Sequence, residues 1–129
     1  MEWWGYLSII LVLLSLSIGW GIRGNYGHEY GAMLAGALAG MAAALMSGRE
    51  AWRQRLPYFA FFGALGWGFG GSIAYMHPPS YTQTGHLPTQ VYGFASTYFE
   101  AFLWAALGGA GTAYAASEDR EKLTAIFRP

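Results

Sequence analysis

An all-α fold of four membrane-crossing helices, arranged as two helical hairpins, is predicted by three observations. Only 11% of the chain is charged against 54% hydrophobic, where an ordinary soluble domain carries ~25% charge. Four long apolar runs are separated by polar or turn-forming segments. The chain has 19 glycines, and three pairs of small residues within those runs, Gly36 and Gly40, Gly66 and Gly70, and Ala105 and Gly109, stand four apart, which places each pair on one helix face. At 129 residues the chain is one domain, a transmembrane unit over residues 1–129.

The first run, Trp3 to Ile22, holds no charge over twenty residues, enough for ~30 Å of helix, one bilayer core. A cleaved signal peptide would need a basic start and a small-residue cleavage site. Glu2 precedes the run and Trp20-Gly21-Ile22-Arg23 ends it, so an uncleaved helix is expected. The second run covers Gly31 to Ser47, rich in Ala, Gly, Leu and Met. The third runs from Pro57 to Met76, with proline at a first-turn position. Val91 to Ala116 forms the fourth, followed by a tail over residues 117–129. Apart from Glu100 these runs lack the charged outer face of a soluble bundle.

Orientation follows from the positive charges. Arg49, Arg53 and Arg55 lie between the second and third runs, and Arg120, Lys122 and Arg128 lie in the tail. The segment from His77 to Gln90 has no Lys or Arg. Both termini are therefore expected in the cytoplasm, as in a multi-pass protein of a bacterial inner membrane. Trp3, Trp4, Trp52, Tyr58 and Tyr92 fall near the run ends, where an interfacial aromatic belt sits.

Gly19-Trp20-Gly21 is echoed by Gly66-Trp67-Gly68, and Leu34-Ala35-Gly36-Ala37 more loosely by Leu107-Gly108-Gly109-Ala110. The echo suggests two hairpins of the same orientation. The pairs Gly36 and Gly40, Gly66 and Gly70, and Ala105 and Gly109 are expected packing faces. The set Gly19, Gly21, Gly24 and Gly27 would let the end of the first helix thin into a turn.

Composition excludes several functions. Seven basic and seven acidic residues cancel, leaving no net field for nucleic acid. With no cysteine there is neither thiol nucleophile nor thiolate metal site. Ser-His-Asp, phosphate-loop and dinucleotide patterns are absent, so no enzyme activity is expected. His28, His77, His86, Glu29 and Glu100 are five potential ligands on one side, but no His-x-x-x-His spacing unites them. A metal site is not expected, and no cofactor can be named.

The residues best suited to chemistry are Arg23, Asn25, His28 and Glu29, interleaved with Gly24 and Gly27, together with Glu100 in the fourth run. Arginine supplies a permanent bidentate donor, histidine titrates near neutral pH, and a carboxylate at bilayer depth is functional by default. Such a set can hold an anion or relay a proton. It can equally be structural, with Arg23 and Glu29 as an ion pair closing the turn, or Glu100 paired with Arg23 or His28. The expected function is a small ion or solute channel or transporter module, working as a homo-oligomer in the lipid bilayer. The alternative is a non-catalytic subunit of a larger membrane complex, in contact with pigment or other subunits.

Overall fold

A computed structural model describes residues 2–73 and 80–128, with side chains at all of these except residues 2, 28, 72 and 73. The described chain is helical and forms no strand. α1 spans Glu2–Arg23, α2 His28–Met46, α3 Glu50–Arg53, α4 Leu56–Ile73, α5 Leu87–Ser117 and α6 Arg120–Ala125. Two stretches, Trp3–Arg23 in α1 and Glu29–Met46 in α2, are long and apolar enough to cross a membrane.

The elements differ from the expected runs at their ends. α2 begins at His28 rather than Gly31, so Glu29 stands in its first turn. There the carboxylate faces the positive end of the helix dipole. α5 begins at Leu87 rather than Val91, because Pro88 near its start already holds the helical φ and needs no N–H there. The expected loop ending at Gln90 is therefore partly helix. α3 and α6 are short helices that the apolar runs do not reveal. Between α1 and α2 the chain turns on Gly27 at φ 77°, a left-handed conformation that side chains resist. Gly21 and Gly24 need no such freedom, and α1 stays helical through Arg23.

α2 and α4 are the central pair, with α1 packed on α2 and α5 packed on α4. Glycine makes each approach possible. A Cβ added at Gly40 would collide with the Phe59 carbonyl, and one at Gly63 would stand 2.6 Å from the Gly36 oxygen. The outer pairs repeat one register. A Cβ at Gly19 would lie 2.7 Å from the Ala35 Cα, and one at Gly66 would lie 3.1 Å from the Gly108 Cα. Four residues further along α1 and α4, Gly31 meets the Cα of Arg23 (2.9 Å) and Gly70 meets that of Trp104 (2.8 Å). The echoed segments thus make equivalent contacts, with large and small residues exchanged at the last pair. Against α4 the packing glycines of α5 are Gly108 and Gly111, whereas Gly109 is exposed and a Cβ there would have no neighbour within 4 Å. The Ala105–Gly109 face expected to pack is therefore open. Its neighbour face does the packing because Trp67 and Phe62 stand there.

At the end carrying α3 and α6, Ala44, Phe59 and Ala115 form a buried cluster with Trp52, Leu56 and Phe62 against it. Arg55 closes this end. Its guanidinium donates to the carbonyls of Ala115 (3.3 Å), Ala116 (3.4 Å) and Glu118, acceptors left open where α5 terminates. Tyr58 is half-buried and shares a 2.7 Å hydrogen bond with Thr124 of the tail.

Candidate functional site

Three tryptophans from three helices meet at the opposite end. Trp20 comes from the last turn of α1, Trp67 from α4 and Trp104 from α5. The Trp20 ring stands edge-on to Trp67 at 5.5 Å and to Trp104 at 4.9 Å between centroids, the contact geometry aromatic quadrupoles favour. Glycines make room for the indoles. Trp67 fits between Gly36 and Gly108, and Trp104 lies over Gly70 and Gly71. Trp104 Nε1 donates to the Trp67 carbonyl at 2.6 Å, which fixes the ring and satisfies its only polar atom.

Together with Leu16, Ser17 and Ala101 these indoles wall a cleft of 470 Å³. Ser17 donates its hydroxyl to the Leu13 carbonyl, so the wall offers mainly aromatic and aliphatic surface. At its edge lies Arg23, whose guanidinium carbon is 4.5 Å from the Trp20 centroid and 5.2 Å from that of Trp104. The position suits a cation over a π face. One helical turn before Trp104, and beside Ala101, α5 carries Glu100. That residue is half-buried, and among the described residues its carboxylate makes no hydrogen bond or ion pair.

The sequence-expected residues are thus divided. Arg23 stacks on two indoles of the tryptophan cleft, and Glu100 stands four residues before Trp104 on α5 without lining that cleft. Glu29 lines a different cleft of 230 Å³ with Tyr30, Met33, Leu65, Gly68 and Phe69. Asn25 is exposed in the turn, where its backbone N–H donates to the Ile22 carbonyl at 3.0 Å. The His28 side chain and His77 lie outside the described residues. Arg23 and Glu29 do not form the ion pair that would close the turn. Stacking on two indoles holds the arginine instead. His86 shares a 2.9 Å hydrogen bond with Thr89 at the start of α5. Among the described residues no three His, Asp or Glu side chains are grouped to hold a metal.

The ion pair that the described residues do form joins Lys122 to Glu118 at 3.1 Å in the tail. That hydrogen bond and the Glu118 charge hold the Lys122 ammonium above its usual 10.5. Trp67 and Trp104 are the site residues that the sequence did not single out. The Gly-Trp-Gly echo was the available signal for the first, and the glycine four residues after Trp104 was the signal for the second. Chemically, the cleft can take an apolar or aromatic body beside a fixed positive charge. Compared with known protein families, with curated proteins and with solved structures, the chain matches none.

Proposed function

We propose that the chain is a multi-pass membrane protein whose helices α1, α2, α4 and α5 all cross the bilayer as two hairpins, with both termini in the cytoplasm. In this reading it is a small-solute or ion transport module that works as an oligomer, because four helices of this size enclose no polar path alone. The site is the tryptophan cleft in the outer half. Arg23 is its anion-facing group and Glu100 its proton- or ion-sensitive group, with Asn25, His28 and Glu29 at the approach. The observation that carries the reading is the placement of Glu100, without a hydrogen bond or ion pair among the described residues and one turn from the indole on which Arg23 stacks. An ionisable group at bilayer depth costs ~2.5–3.5 kcal/mol on insertion scales and marks pathways by default. The matching registers of the two outer helix pairs support the paired-hairpin arrangement.

Proton, potassium and chloride flux into liposomes containing the purified protein tests it. Glu100→Gln is expected to reduce the conducted species to the leak of protein-free vesicles, and His28→Ala to reduce it in part. Unchanged flux in both variants sinks the transport reading. A second reading, a subunit of a larger membrane assembly, draws on α1, of which only 6% is buried. Foreign subunits or a visible pigment band co-eluting from a mild detergent extract would favour it.

A further inference from the structure

A second groove adjoins the tryptophan cleft, with Trp67 common to both. It consists of two adjoining cavities of 300 and 590 Å³ that share Val12, Ala43 and Trp52. Val12 of α1 and Gly109 of α5 stand on its two sides, and Ala39, Ala43 and Trp67 form its base. Its lining hydroxyls are all turned back on their own helices. Ser8 donates to Trp4 O, Ser47 to Ala44 O, Thr112 to Gly108 O and Ser117 to Tyr114 O, at 2.8 to 3.2 Å. The groove therefore presents mainly carbon to its contents. With mostly carbon on its walls, the groove suits a hydrocarbon chain better than an ion.

The mouth of the groove is cationic. Arg49 lies over the Trp52 ring with its guanidinium carbon 4.8 Å from the centroid, and Trp52 lines both cavities. The exposed Arg49 guanidinium has no hydrogen-bond acceptor among the described residues. Its neighbour Glu50 accepts from Gln54 at 3.5 Å, and Arg53 reaches the Leu45 carbonyl at 3.4 Å, beside the same mouth. A planar donor fork above an apolar slot matches a phosphate with a hydrocarbon tail.

We infer that this groove holds an acyl chain of an anionic phospholipid of the cytoplasmic leaflet, its phosphate bound by Arg49. The inference rests on the membrane placement proposed above but not on transport. It is tested by extracting the full chain in mild detergent, adding phosphatidylglycerol or phosphatidylcholine, and reading retained lipid by native mass spectrometry. Phosphatidylglycerol is expected to be retained in preference. Arg49→Ala should weaken its retention about fivefold, the effect of about one charge near a membrane surface. Arg128→Ala, an equal loss of charge on the exposed tail, should leave it unchanged. Ala113→Leu, which fills the groove from α5, should release both lipids. Equal retention of the two lipids, or retention insensitive to Arg49→Ala and Ala113→Leu, overturns the inference. So does a lipid-free oligomer that Ala113→Leu dissociates, because a second copy then fills the groove. Recovery of the chain in the soluble fraction overturns the membrane placement together with the inference. A membrane-extracted protein with no lipid preference overturns the inference alone.

Discussion

A single methyl group tests the glycines at the helix crossings. At Gly36 it would stand 2.6 Å from Trp67 Cδ1 as well as against the Gly63 carbonyl. At Gly66 it would meet the Leu107 carbonyl. Backbone cannot yield as a flexible side chain can, so Gly36→Ala and Gly66→Ala should each cost about 1–3 kcal/mol, the range for overpacking. Gly21 is also helical but has nothing within 4 Å, and Gly21→Ala should change stability by less than about 1 kcal/mol. Thermal unfolding in detergent, followed by tryptophan fluorescence, separates the two classes. Equal midpoints for Gly36→Ala and Gly21→Ala would contradict the packing described. Spacing in the sequence marked Gly36 and Gly66 as contact residues, and it also marked Gly109, which touches nothing. A spacing of four defines a face but not which of two adjacent faces meets a neighbour.

Helix ends are where α4, α5 and the tail depend on one another. The last carbonyls of α5 have no intrahelical donors, and Arg55, some sixty positions earlier, supplies them. Hydrogen bonds to a charged group are worth about 1.5–3 kcal/mol each where they survive exposure. Arg55→Ala is therefore expected to destabilise by about that range in total, since the group is only half-buried. Arg55→Lys should recover less than half, because one ammonium cannot stand both where Nε donates to the Ala51 carbonyl at 2.8 Å and where Nη1 meets the carbonyls at the end of α5. Unfolding midpoints and faster amide exchange over residues 112–117 would register the loss. Wild-type exchange in Arg55→Ala would show that the cap is dispensable. In the sequence Arg55 reads as one of three loop charges that set orientation. Its second role depends on the tail folding back, which no local pattern encodes.

Orientation belongs to the molecule as a whole, and the absence of native cysteine makes it directly measurable. Single cysteines at Gln54, Gln83 and Arg128 lie in the α3 segment, the segment before α5 and the tail. A membrane-impermeant maleimide applied to intact cells is expected to modify Gln83→Cys alone. Gln54→Cys and Arg128→Cys should react only after permeabilisation. The reverse pattern would invert the protein in the bilayer, and with it the assignment of the tryptophan cleft to the outer half. Labelling Gln54→Cys and Arg128→Cys from opposite sides would rule out two crossings between them, and with them the four-helix reading.

Helical class and the approximate extent of α1, α2 and α4 were legible in the sequence, because uninterrupted apolar runs and their flanking charges are local properties of composition. So was the importance of the glycine-rich segments around Trp20 and Trp67. The tertiary structure decided which groups meet. It placed Arg23 on two indoles rather than on Glu29, set Glu29 in a cleft of its own, brought Trp104 to Trp67, and turned the tail back onto Tyr58 and Arg55. Apart from Arg23 on Trp20, such contacts join residues dozens of positions apart. They follow from how closely glycine lets particular helices approach, a property of paired surfaces that no single segment carries.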